Sequence, residues 1–318
     1  MTYGIGIIGL GIMGQRMLSN MSLHDAFDVV AIFDPDQISP DLPYINSADE
    51  LIAHPDVDLI YIACPPEYHE GYAIAAAKAG KPVFCEKPLG INVAQSQKLV
   101  ETIESIGIQN AVNFSFAASP SRAFLRSYLA DGAFGKIDAI DIRLHFSTWP
   151  RHWQEAATWL GKRRQGGYVR EVLSHFVYLT ESVFGPLSLE QAIVRYPYGM
   201  DGDLAESHVY ANLTCSDVPV SVAGGIGGTG PDRIEFTVWG QKNSCRLDDW
   251  YTAYLSDGQT WRLAMTEIDD LKGDVRQVGR VRQLDNLVKF MRGEAHELPD
   301  FRAALSVQQI IEGILDND

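Results

Sequence analysis

YGIGIIGLGIMG, residues 3–14, reads as a short apolar strand that breaks into glycines and opens a helix. Gly9, Gly11 and Gly14 give the spacing G-x-G-x-x-G. Spacing alone is weak, because many chains carry it by chance. Its context is stronger: a second apolar run, FDVVAIFD (27–34), ends on Asp34, 20 residues after Gly14. In a βαβ unit this is the fingerprint of a dinucleotide site. Gly9 allows the tight turn, Gly11 lets the backbone approach a pyrophosphate, and Gly14 lets helix and strand pack closely. The helix start at Ile12 and Met13 offers free N–H groups and positive potential to the phosphates. Asp34 accepts from ribose hydroxyls and repels a 2′-phosphate, and neither Phe33 nor Pro35 supplies a compensating cation. NAD is therefore expected, with NADP disfavoured.

Outward from this motif the alternation continues. DLIYIAC (58–64), PVFCE (82–86) and IQNAVNFS (108–115) are strand candidates. They are separated by helical stretches such as HEGYAIAAAKAG (69–80) and NVAQSQKLVETIESIG (92–107), the latter opening on an Asn cap and stopping at Gly107. Short apolar strands alternating with helices predict an α/β domain, a doubly wound parallel sheet covered on both faces. The pattern changes near residue 118. KIDAIDIRLHFSTW (136–149), ESHVYANLTCS (206–216), VPVSVAGGIGG (218–228) and DRIEFTVWG (232–240) alternate with period two between turn residues. Ile140, Ile142, Leu144 and Phe146 fall on one face. This predicts a second, α+β domain on an open, mostly antiparallel sheet. The boundaries expected are 1–118 for the nucleotide domain and 119–318 for the substrate domain, with a crevice between them.

Composition narrows the partners. The 318 residues carry a net charge of −15, 46% hydrophobic and 21% charged residues, and no basic run. That favours a solvated acidic surface over nucleic acid or anionic membranes. No segment approaches 18 consecutive apolar residues, so no membrane span is expected. Cys64, Cys85, Cys215 and Cys245 lack metal-ligand spacing, so no metal is expected and cytoplasmic thiols are the default.

Two further stretches carry chemistry. In a doubly wound sheet ligands bind beyond the carboxyl ends of the strands. Cys64, Pro65 and Pro66 follow one strand and stiffen the backbone beside the nucleotide, and His69 opens the next helix, where local hydrogen bonding is its ordinary use. CEKPLG (85–90) follows another strand. Lys87 there reaches a substrate oxygen and stabilises charge developing during hydride transfer. Glu86 pairs with it or holds the backbone, and Pro88, as a cis residue, would aim it. Asn113 ends the last strand on the same side. STWPRHWQEAATWLGKRRQGG (147–167) concentrates tryptophans and arginines suited to a sugar ring and an anionic group, or equally to a loop packed on the sheet.

The stretches GIGIIGLGIMG, CPPEYHEGYAIAAAKAGKPVFCEKPLG and GGYVREVLSHFVYLTESVFG, with the tail QLDNLVKFMRGEAHELPDFRAALSVQQIIEGI, resemble the Gfo/Idh/MocA oxidoreductases. The resemblance covers nearly the whole chain. It implies a Rossmann domain followed by an open antiparallel sheet through which members associate, here as a homodimer or homotetramer. It also implies a small-molecule substrate whose carbinol or carbonyl group exchanges hydride with NAD or NADP, mostly sugars, cyclitols and relatives. Lys87 matches the family lysine. The family pattern GG-x-x-x-D-x-x-x-H aligns with Gly166, Gly167, Glu171 and His175, so His175 takes the place of the acid–base histidine and Glu171 replaces the usual aspartate. At i and i+4 the pair shares one helix face. Two rivals stand beside dehydrogenation: reduction of an imine or conjugated double bond, and a non-catalytic dinucleotide-sensing regulator. Retention of Lys87 and His175 argues against the regulator.

Overall fold

The computed structural model describes residues 2–36, 41–197, 202–264 and 275–316. They fall into two compact units: Met1–Phe114 with Arg280–Gln308, and Ser115–Gly279 with Gln309–Asp318.

The first unit holds five parallel strands, β1 (Tyr3–Ile8), β2 (Phe27–Phe33), β3 (Leu59–Ile62), β4 (Val83–Glu86) and β5 (Asn110–Asn113), in the order β2-β1-β3-β4-β5. Helices α1 (Ile12–Met21), α2 (Ala48–Ala53), α3 (His69–Lys78) and α4 (Val93–Ile106) connect them. Every residue of β3 and β4 is buried, as a strand covered on both faces requires. The helix ends are set locally. Ser47 accepts from the Glu50 N–H (3.1 Å) and Asn92 from the Gln95 N–H (3.0 Å), while Gly107 closes α4 in the left-handed region. Successive strands fall on opposite sides of β1, so the sheet changes direction between β1 and β3. That switch point is where an open α/β sheet receives its ligand.

The second unit holds eight strands: β6 (Ile137–Phe146), β7 (Leu187–Arg195), β8 (His208–Cys215), β9 (Val218–Ile226), β10 (Arg233–Gly240), β11 (Ser244–Asp248), β12 (Thr252–Ser256) and β13 (Arg262–Leu263). Their order is β13-β12-β11-β10-β6-β9-β8-β7, antiparallel except for the β6–β9 pair. Ile140, Ile142, Leu144 and Phe146 of β6 are buried, and Asp141, Arg143 and His145 between them are not. Helices α5 (Pro120–Ala130) and α6 (Ser174–Phe184) belong to this unit, and Phe176 of α6 stacks on Phe236 of β10 with centroids 6.2 Å apart. On the other face Trp239 meets Trp261 at 5.8 Å and is 42% exposed. Arg246 lies over both Tyr254 (5.2 Å) and Trp261 (4.9 Å), whereas Tyr251 lies edge-on to Phe116.

The chain returns to the first unit after residue 279, which a single boundary at 118 does not anticipate. The helices concerned are α7 (Val275–Met291) and α8 (Phe301–Leu315). The reason lies in β5, which pairs with β4 and would otherwise leave an open edge. The Val112 N–H donates to the Pro299 carbonyl (2.8 Å), the Phe301 N–H to Asn110 Oδ1 (2.7 Å), and Gln109 Nε2 to the Phe290 carbonyl (2.9 Å). Arg302 adds a bidentate pair with Glu104. No helix among the described residues is long and apolar enough to cross a membrane.

Candidate functional site

In the first unit the residues singled out by sequence fall into three hydrogen-bonded groups, around Asp34, His69 and Glu86. Gly9 has φ +96°, and a Cβ there would lie 2.5 Å from the Cys64 nitrogen, so only glycine lets the β1 and β3 loops touch. A Cβ on Gly14 would lie 2.1 Å from the Gly9 carbonyl oxygen, which is the close helix–strand packing the motif requires. A Cβ on Gly11 would meet nothing within 4 Å, leaving the backbone open to a ligand. Gly11 is also the N-cap of α1 and offers no side-chain acceptor, so no cap takes up the first N–H groups near Ile12 and Met13. Asp34 is turned onto this loop: its Oδ2 accepts from the Leu10 N–H (2.5 Å) and its Oδ1 from the Asp36 N–H (2.9 Å). A glycine turn and an uncapped helix start that donate, with a carboxylate at the end of β2 that accepts, are the groups a dinucleotide needs, and they fit one.

Cys64 and Pro65 follow β3, and Pro66 begins a single 3-10 turn, Pro66–Tyr68, leading into α3. Burial pushes the Cys64 thiol up to about 12, so it stays protonated and contributes shape rather than nucleophilicity. His69 is buried, with Nε2 2.9 Å from the Cys64 carbonyl oxygen and Nδ1 2.9 Å from that of Pro88. Its reach is therefore wider than a local helix-start bond. A neutral ring donates to one carbonyl and an imidazolium to both. Burial lowers the ring's pKa, and the two carbonyls oppose that shift.

Glu86 is buried at the end of β4. It accepts from the Tyr61 hydroxyl (2.5 Å) and from Asn113 Nδ2 (2.5 Å). Asn113 Oδ1 in turn accepts from Gln283 Nε2. Burial, with the Glu86 charge second, raises the Tyr61 hydroxyl well above its ordinary value, so it remains a donor. Glu86 thus faces into the sheet while Lys87, next in sequence, is half-buried and begins the loop. The Lys87–Pro88 peptide is cis, as its place in the sequence suggests.

The second unit carries Glu171 and His175. The sequence predicts a continuous α-helix here. A π-helical turn, Val169–Leu173, instead runs into α6 and changes the angular step between the two side chains. Three groups outside the motif hold the pair. Gln154 Nε2 donates to Glu171 Oε1 (3.2 Å), and Gln154 Oε1 accepts from Arg151 Nε (2.9 Å). The Ser115 N–H donates to His175 Nδ1 (3.3 Å). Trp250, at φ +76°, sets its ring edge-to-face with His175 at 5.2 Å. A bulky residue in the left-handed region marks a position fixed by its surroundings.

The turn itself is anchored by buried charge. Arg170 forms two bonds to Glu312 (2.7 and 2.6 Å) and donates to the carbonyls of Arg163 (2.7 Å) and Gly166 (3.1 Å). Glu206 accepts from the Val169 N–H (2.7 Å), and burial pushes its carboxyl up to about 7. Gly167, at φ +97°, leaves room for it: a Cβ there would lie 2.2 Å from Glu206 Oε2. Arg151 lies over the rings of Trp153 (4.8 Å), Phe146 (5.5 Å) and Trp149 (5.5 Å), so the tryptophan-rich loop is packed around a guanidinium. Sequence reading missed Ser115, Gln154, Arg170, Glu206 and Trp250. Only the density of aromatic and basic residues in 147–167 pointed towards any of them.

The first unit has a Rossmann-type fold with a glycine turn that fits a dinucleotide. Residues 3–114 match the family model GFO_IDH_MocA, described as an oxidoreductase family with an NAD-binding Rossmann fold. That match covers the nucleotide-binding region, 112 of the chain's 318 residues. It is 35% identical over 141 residues to the inositol 2-dehydrogenase of Acidothermus cellulolyticus, 41% of each chain. It is 26% identical over 171 residues to the 1,5-anhydro-D-fructose reductase of Ensifer adhaerens, 53% of this chain and 50% of that one. The matched region thus spans about half the length of these relatives or less. The WlbA dehydrogenase of Bordetella pertussis, whose structure contains NADH and UDP-GlcNAcA, superposes with a TM-score of 0.80 at 21% identity over 99% of this chain and 95% of that one, a likeness of fold.

Proposed function

We propose that the protein transfers hydride between NAD and a carbinol or carbonyl carbon of a small polyhydroxylated substrate, a sugar, cyclitol or derivative. The observation that carries the reading is the open Gly9–Gly14 turn with Asp34 bonded onto it, in register with a lysine loop two strands away. The relatives named as inositol and anhydrofructose oxidoreductases support the substrate class.

A bound nicotinamide supplies the hydride acceptor. The chain's residues supply the rest. The Gly11 backbone and the start of α1 hold the pyrophosphate, Asp34 the adenosine ribose, and Cys64, Pro65 and Pro66 flank the dinucleotide. In the oxidative direction the carbinol carbon loses hydride and its oxygen loses a proton. A backbone N–H can only donate, so the Ser115 bond makes His175 Nδ1 an acceptor. The neutral ring then carries its proton on Nε2. In place of the acid–base role expected from sequence, His175 donates a hydrogen bond to the reacting group through Nε2, and Lys87 as the free amine takes the substrate proton in oxidation and returns it as the ammonium in reduction. Glu171, oriented through Gln154, holds a substrate hydroxyl.

NADH absorbance followed across polyols, sugar acids and aldoses, in both directions, tests the reaction. Absence of turnover throughout the panel sinks it. For the cofactor, NADH is expected to bind more tightly than NADPH in a fluorescence titration. Asp34→Ser removes the charge that repels a 2′-phosphate and should narrow that gap by about tenfold, the scale of a partly screened charge pair. It also removes the acceptor of the Leu10 N–H, so NADH itself should bind more weakly. Tighter NADPH binding by the unaltered protein would refute the NAD assignment.

A further inference from the structure

The β3–β4 ladder ends where Ile62 pairs with Cys85. Beyond that point the two strands lead into separate loops, one with Cys64–Pro66 beside the glycine turn and the other with Lys87 and Pro88. Neither loop can extend the ladder normally, because Pro65, Pro66 and Pro88 have no N–H. His69 stands where backbone donors are missing. It is 1% exposed, and its two nitrogens lie 2.9 Å from one carbonyl of each loop, five residues before it in the chain and nineteen after. An imidazole suits this place because its nitrogens sit on a rigid ring, where an amide of similar size has donors at one end only.

We propose that His69 is a positioning residue for Lys87: its ring fastens the lysine loop to the dinucleotide loop and fixes the ammonium relative to the Gly9–Gly14 turn. Lys87 precedes the carbonyl-bearing Pro88 directly, so loss of the tie frees the backbone that aims it. Turnover as a readout rests on the hydride-transfer reading, whereas amide exchange does not.

The test is hydrogen exchange by mass spectrometry on the full chain, with His69→Phe and His69→Gln. Phe keeps a ring there and removes both ring nitrogens, and with them the N–H that reaches a loop carbonyl. Segments 62–68 and 84–90 should both exchange about tenfold faster, the scale of losing one or two net hydrogen bonds. Helix α4 should be unchanged. His69→Gln keeps one donor and should give a smaller acceleration in the same segments. If His69→Phe does not fold, the glutamine variant decides. On a turned-over substrate, His69→Phe should lower kcat on the order of tenfold, with KM changed less, as a misplaced group does. Faster exchange confined to the start of α3, with 84–90 as in the unaltered protein, would overturn the tie and leave His69 a packing residue. A chain that turns over nothing defeats the hydride-transfer reading, while the exchange data still decide the tie.

Discussion

Lys87→Met is expected to lower kcat by about 10²-fold or more, the scale of removing one well-placed electrostatic donor. Methionine keeps the length and the apolar stem but neither the charge nor the three donors. Folding should be nearly unaffected, because Lys87 is only half-buried and Glu86 keeps its bonds from Tyr61 and Asn113. No buried carboxylate is orphaned, which is the usual reason that removing a lysine beside a glutamate is costly. Dinucleotide affinity should also be preserved, since Asp34 and the glycine turn are unchanged. The loss should therefore appear in kcat and in kcat/KM together, as for an interaction stronger in the transition state than in the ground state. Steady-state kinetics beside an NADH titration checks all three quantities. Full turnover by Lys87→Met would make the lysine a surface residue and remove the proton-exchange step from the mechanism.

Much of the first unit was legible because its determinants are local. The glycine spacing, the distance to Asp34, the Asn92 cap and the Gly107 stop lie within single βα units, so each is visible in a short window of sequence. Period-two alternation exposed β6 for the same reason: burial of Ile140, Ile142, Leu144 and Phe146 is written in alternate positions. What remained hidden is non-local. The return of 280–308 to the edge of β5 depends on hydrogen bonds between residues some 180 positions apart, such as the Gln109 side-chain amide with the Phe290 carbonyl. Residues in α7 and α8 show only an amphipathic pattern, which does not say which unit they cover. Ser115 acts through its backbone N–H, which no side-chain pattern records. Glu206 looks like any exposed acidic residue before a strand, yet its carboxyl is buried against Gly167 and Val169. The π turn is equally silent, because one extra residue in a helical repeat leaves the local composition unchanged.

The substitution of glutamate for the family's aspartate reads differently once Gln154 is in view. A lone longer carboxylate would be poorly placed. Here the Gln154 amide is oriented by Arg151, which donates to its oxygen, so its nitrogen is directed at Glu171. The aromatic loop and the glutamate thus form one unit, and the extra methylene of Glu171 belongs to that geometry. Buried amides held at both ends specify position well, because every alternative leaves a polar group unpaired.

His175 is expected to tolerate glutamine far better than asparagine. A glutamine amide reaches about as far as imidazole Nε2, whereas asparagine stops near Nδ1. If His175 donates through Nε2, His175→Asn should lose about 10²–10³-fold in kcat, as when a transition-state donor is removed. His175→Gln should stay within about tenfold of the unaltered protein, since its N–H can replace the imidazole's. The pH dependence separates this from proton abstraction. An imidazole base would impose an acid limb on kcat/KM that vanishes in both variants, because protonation below its pKa abolishes the acceptor. A donor imposes no such limb, so the glutamine variant should keep the unaltered pH profile at reduced height. Ring nitrogen NMR gives a readout independent of turnover: the neutral ring should carry its proton on Nε2, with Nδ1 unprotonated and bonded to the Ser115 N–H. A proton found on Nδ1, or equal losses for both variants with a missing acid limb, would return His175 to the role of general base.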